Sequence, residues 1–212
     1  MRGPYSKLFL AFLRPLLSVA ALSFLASAAT AEQRETYRGF TVNYLDGAAP
    51  GSADVMHRQI DKVVSVGLAP DVIGLLQNVP VEVIGRSERT PGHYNGGKVQ
   101  LGATLLQNRD KPVLLHEFMH AYHKLGLRDG FANSEVELYY ERAQGTGAYA
   151  ASSHMMSNVR EYFATTATTY LYGQTAQEPF RREKVKDAQP QYFQYLATLF
   201  GRGAGRYVGA LR

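Results

Sequence analysis

The chain has 212 residues, 45% hydrophobic and 19% charged, which suits one folded domain and is too apolar for a disordered chain. It has no cysteine, which excludes disulfides, thiolate metal ligands and a cysteine nucleophile, so any metal must be held by histidine, carboxylate or carbonyl groups. The net charge is +5, but three of the 23 Lys+Arg and none of the 18 Asp+Glu lie in the first 31 positions; the remainder, at about +2, has no basic patch that argues nucleic-acid binding.

In chain order, residues 1–31 read as an export signal. Arg2, Lys7 and Arg14 form a positive front, an apolar run follows over 16–29, and Ala29-Thr30-Ala31 supplies a small-x-small cleavage site. The apolar run is short for a membrane span, which needs about 20 residues. The expectation is therefore a cleaved signal peptide over 1–31 and a domain over 32–212. The mature protein would be secreted or periplasmic, with no stable membrane anchor.

Residues 36–45 alternate loosely and read as one strand before the turn-rich stretch 47–52. Val55, Met56, Ile60, Val63 and Val64 fit one face of a helix over 53–66, closed by Gly67. Pro70 opens a second short helix. Residues 79–84 read as a strand, 92–97 as a turn and 98–103 as another strand. Asp110 and Pro112 then have the spacing to start a helix that carries residues 116–123 and stops near Gly126. Further helices are expected over 133–143, 158–172 and 191–200, with a loop over 144–153. Arg181-Arg182-Glu183-Lys184 reads as a solvated loop or helix face. Strands first and helices later give an α+β class. No repeat is present, and the oligomeric state is not legible.

The chemistry sits in His116-Glu117-Phe118-Met119-His120. On a helix the two histidines leave the same face one turn apart, about 40° and about 6 Å from each other, and can bind one tetrahedral ion. Glu117 sits about 100° round the helix, wrong for a third ligand but suited to a water on the open side of the metal. Val113-Leu114-Leu115, Phe118 and Met119 supply an apolar face that would bury such a helix. A catalytic zinc usually takes three protein ligands, so the third must come from elsewhere. Glu161 is a candidate, although Asn158 and Glu161 also have the spacing of a helix capping box. His123 is about 10 Å along the axis from His116, too far for the same ion, and reads as pocket lining or a surface histidine. His57 and His93 have no assignable partner.

The segment His116-Glu117-Phe118-Met119-His120-Ala121, followed by Asn158-x-x-Glu161-Tyr162-Phe163-Ala164, resembles the gluzincin metallopeptidases. It is most similar to the branch that holds the catalytic domain of anthrax lethal factor and the Pro-Pro endopeptidases. The likeness covers residues 79–173 at the level of motifs. It implies a single zincin-like domain with a small mixed or antiparallel sheet and an active-site helix. It implies Zn2+ bound by His116, His120 and Glu161, Glu117 as general base, and a peptide or protein substrate. Two positions depart from that pattern. His154 stands seven residues before Glu161, where the lethal-factor branch has an oxyanion-facing tyrosine. An imidazole N–H can donate the same bond, Tyr149 is the competing donor, and His154 also reads as a plain loop histidine. Thr165 stands where the family often has a carboxylate that orients a histidine. An edge strand at 98–102 would pair with substrate backbone, whereas an interior strand there would not. The departures leave open a second class of protein, a secreted zinc-binding or protein-binding module on a degenerate peptidase scaffold.

Overall fold

The computed structural model describes residues 33–45, 47–85 and 91–201. The expected leader over 1–31 lies outside the described residues. Among the described residues no helix is long and apolar enough to cross a membrane.

The chain opens with β1 (Gln33–Tyr37) and β2 (Phe40–Tyr44), an antiparallel hairpin in place of the single strand expected over 36–45. The turn between them uses Arg38 (φ 48°) and Gly39 (φ 83°), two consecutive left-handed residues that suit the twist of a two-residue hairpin. Arginine is not a usual first residue for such a turn, so only Gly39 marked the break. Phe40, Val42 and Tyr44 alternate inward along β2. Helices α1 (Ser52–Ser65) and α2 (Pro70–Gln77) then cross over to β3 (Val81–Val83), which runs parallel to β2. Strand β4 (Gly92–Asn95) lies where a turn was expected; the turn itself is only Gly96-Gly97 (φ 58° and 81°), and β5 (Lys98–Leu101) returns antiparallel to it. The sheet order is β1-β2-β3-β5-β4, with β3 and β5 parallel. The sheet is thus mixed. Among the described residues β5 is interior and β4 is the edge beside it, because the hairpin folds β4 outward past the strand that the sequence offered as an edge.

Helix α3 (Val113–Leu125) lies against α1, α2, β4 and β5. Leu114, Leu115, Phe118 and Met119 are fully buried; burying each contributes about 1.5–3 kcal/mol. Asp110 does not cap this helix. Pro112 holds the cap position without a side-chain hydrogen bond, and Gln59 of α1 does the work instead. The Gln59 amide donates to the Arg109 and Lys111 carbonyls (3.0 and 2.8 Å), and its oxygen accepts from the Leu114 N–H at 3.1 Å. Helix α4 (Ser134–Thr146) begins at the Asn133 cap, whose side chain accepts from the Val136 N–H at 2.9 Å, and runs into the stretch expected to be loop. Helix α5 (Val159–Tyr172) packs along α3 and starts at Asn158, as expected. The basic stretch near 181–184 enters α6 (Arg182–Ala188), and α7 (Pro190–Phe200) follows. The whole is one α+β domain.

Candidate metal centre

The HExxH segment lies in the middle of α3, with the sheet on one side and α5 on the other. His116 and His120 project from one face, their ring centroids 4.8 Å apart and nearly perpendicular at 88°. Across from them α5 presents Glu161. Asn158 caps α5 by accepting from the Arg160 and Glu161 N–H groups, both at 3.0 Å. The Glu161 carboxylate does not close the capping box; it faces the two imidazoles. One carboxylate oxygen lies 3.4 Å from His116 Nε2 and the other 3.4 Å from His120 Nε2. One donor atom from each of the three residues falls within 4.8 Å of the others.

These distances test the fit of a metal. Bonds of about 2.1 Å at tetrahedral angles put two donor atoms about 3.4 Å apart. Each imidazole Nε2 lies at that distance from a Glu161 oxygen, His116 from one and His120 from the other. Glu161 Oε2 is also buried and makes no hydrogen bond among the described residues, although His154 Nε2 is 3.0 Å away. A buried carboxylate oxygen without a donor costs several kcal/mol unless a cation faces it. The residues fit a single ion. Burial pushes the Glu161 carboxyl up, but the facing His116 and His120 imidazoles outweigh that and hold it well below the usual carboxylate range.

Glu117 leaves α3 toward the sheet rather than toward Glu161. It is 5% exposed and lies against β4. Burial is the largest influence and, with the neighbouring Glu161 charge, pushes its pKa up to about 7 against the opposing effects of His116 and of a hydrogen bond from the Tyr94 backbone. Gly92 makes room for it: a Cβ there would lie 2.6 Å from Leu101 Cδ2 and 3.2 Å from Glu117 Cγ and Oε1.

His154 begins a single 3-10 turn, His154–Met156, immediately before α5. The Tyr140 hydroxyl donates to the Met156 carbonyl at 2.9 Å and pins that turn. His154 lines the cleft and stays 58% exposed on its side chain. Tyr149, the competing donor, does not line the cleft. Its ring is buried beside Tyr162, and its hydroxyl is buried with no hydrogen bond among the described residues. The Thr165 hydroxyl is likewise buried and unbonded, so it orients no imidazole. His123 is neither surface nor pocket lining: it is fully buried between Phe131 and Phe163, with centroids 5.2 and 4.7 Å away. His57 pairs with Glu35 and stacks on Tyr37, and His93 pairs with Gln100 on the sheet.

The centre opens into a cleft of about 1050 Å³. Its walls include β4 through Gly92, His93 and Tyr94, then Phe131, and Asn158, Val159 and Arg160 at the start of α5. Sequence reasoning missed Gly92, Tyr94, Phe131 and Arg160. Arg160 alone carried a signal, being next to Glu161; the others reach the site only through the fold of the β4–β5 hairpin and the turn before α4.

The chain is 26% identical over 130 residues to a Pro-Pro endopeptidase of Paenibacillus alvei. The match covers 61% of this chain and 50% of that protein, so the chain spans about half the length of the curated relative it matches. No family model matches the chain, and no solved structure matches it. A distant likeness to a named peptidase thus coincides with a three-residue group able to hold a metal.

Proposed function

We propose that the chain is a zinc-dependent metallopeptidase. The convergence of His116, His120 and Glu161 on one point, with Glu117 beside it, carries that reading. A zinc ion held by these three residues would supply Lewis acidity, lowering the pKa of a water toward about 7 and polarising a peptide carbonyl. Glu117 acts as general base: its carboxylate takes a proton from the attacking water and gives it to the departing amine. A base with a pKa near the working pH suits both transfers, and burial raises that of Glu117 from the ordinary carboxylate value toward it. His154, on the open side of the centre, donates a hydrogen bond to the carbonyl oxygen as negative charge grows there. Tyr149, buried away from the cleft, is the weaker candidate for that role. The open edge of β4 can add a strand of substrate backbone, leaving side-chain selectivity to the cleft walls. The name of the relative makes peptides with adjacent prolines the first members of a test panel. Residues 1–31 read from the sequence as an export signal; its removal would leave a mature domain of residues 32–212 in the periplasm or outside the cell.

The decisive experiment pairs metal analysis of the purified protein with a peptide-library digest, with and without a chelator. One zinc per chain and chelator-sensitive cleavage are expected. Glu117→Gln should keep the zinc and lose at least 100-fold in turnover, as removal of a general base does; normal turnover by that variant refutes the base assignment. The unbonded Thr165 hydroxyl, where the resembled family often has an orienting carboxylate, favours one second reading: a zinc-binding or protein-binding module without activity. Stoichiometric zinc with no cleavage of any library member would select it.

A further inference from the structure

Arg160 is the second residue of α5, and its Cα is about 3.8 Å from that of the metal-facing Glu161. The position opposes helix electrostatics, since the first turn of a helix carries partial positive charge and disfavours a cation. Its guanidinium makes no hydrogen bond or ion pair among the described residues. Instead it lies over the Phe131 ring, with Cζ 4.3 Å from the centroid, while Tyr94 meets the same ring edge-on at 6.5 Å. Lys124 brings a second cation to that ring at 5.6 Å. Stacking fixes the plane of a guanidinium and leaves its N–H edges free, a fork that matches a carboxylate. Arg160, Phe131 and Tyr94 all line the cleft, and the only acids among the described lining residues are Glu117 and Glu161. Glu161 is committed to the imidazoles and Glu117 is buried against β4. The cleft wall beside the metal centre therefore holds a seated cation with no resident anion.

We propose that Arg160 reads a carboxylate on the substrate, close to the bond that is cut, so that the cleft prefers acidic peptides. This rests on the peptidase reading above. An extended peptide advances about 3.3–3.6 Å per residue, which limits the group read by Arg160 to the first few residues on one side of the scissile bond. The carboxylate is either an Asp or Glu side chain or the peptide's own C-terminal carboxylate, and the two sources are separable.

The test measures binding rather than turnover. The zinc-loaded Glu117→Gln protein is titrated with fluorescent peptides that carry Glu or Gln at each position near the cleavage site, each with a free or an amidated C-terminus. A carboxylate peptide should bind about tenfold tighter than its amide counterpart. A gap between Glu and Gln assigns a side chain; a gap on amidation assigns the terminus. The gap should close when Arg160→Gln is added and return in part with Arg160→Lys, which keeps the charge but loses the fork. Phe131→Leu, which removes the seat and leaves the arginine, should narrow it. The proposal is overturned if no peptide shows a gap, or if the gap survives Arg160→Gln, since the carboxylate is then held by the metal or another group. Failure of the native protein to cleave acidic and neutral peptides alike refutes the peptidase reading instead, and leaves the binding gap to stand or fall by itself.

Discussion

His123 gives the sharpest test of the described packing. The ring is fully buried between Phe131 and Phe163, and neither nitrogen has a hydrogen-bond partner among the described residues. Burial, aided by the nearby His120 and Arg160 charges, pushes its pKa from 6.5 down to about 4. The folded value lies below the unfolded one, so the unfolded chain binds more protons in between. The stability tied to the neutral ring is complete above about pH 6.5 and is lost as the pH falls toward about 4. A shift of that size amounts to about 3 kcal/mol over the whole window, and to about 2 kcal/mol between pH 7.5 and 5.0. His123→Leu removes this titration along with two unbonded buried nitrogens. Urea unfolding in a chelator, which takes metal loading out of the comparison, measures both proteins at pH 7.5, 6.0 and 5.0. At pH 7.5 the variant should equal or exceed the native protein. By pH 5.0 the difference should have grown by about 2 kcal/mol in its favour. Parallel stability curves for the two proteins would refute the argument, because the ring would then be hydrated or bonded in the folded state.

Three further outcomes are expected. Glu161→Gln should lower zinc occupancy at least tenfold in equilibrium dialysis, since a neutral amide replaces the one anionic donor; unchanged occupancy would remove Glu161 from the ligand set. Gly92→Ala should cut turnover about tenfold or more while zinc stays bound, because the added Cβ meets Leu101 and Glu117 at 2.6 and 3.2 Å and displaces the base; a fully active Gly92→Ala would mean that Glu117 has room to spare. His154→Ala should reduce kcat by about 10- to 1000-fold with little change in KM, whereas Tyr149→Phe should leave kcat near the native value. Steady-state kinetics on one cleaved peptide decides between them, and the reverse order would return the donor role to Tyr149.

The sequence displayed the centre more clearly than its surroundings. The i, i+4 spacing of His116 and His120 is a local property of any helix, and Asn158 announced both the start of α5 and the neighbourhood of Glu161. Whether Glu161 turned back to its cap or across to the histidines depended on how α3 and α5 pack, a contact between segments some 40 residues apart. The sheet was legible as α+β but not in its order. Residues 36–45 hid a hairpin because Arg38 is an unusual left-handed turn residue, and residues 92–97 hid β4 because Gly92 and Asn95 look like a turn. The apolar alternation of Val99 and Leu101 marked a strand without saying which edge was covered. His123 was misplaced for a related reason: its face of α3 is buried by Phe131 and Phe163, which arrive from two other parts of the chain.

Gln59 carries a consequence for where the working unit begins. The first turn of α3 is closed by an amide from α1, more than 50 residues upstream, so the helix that bears the metal-facing histidines has no N-terminal side-chain cap of its own. A fragment cut just ahead of α3 would retain every residue of the motif and Glu161, yet its leading peptide groups would meet only water. Positioning of the imidazoles is therefore a property shared with the amino-terminal half, and fraying of α1 would loosen chemistry performed far from it in the chain.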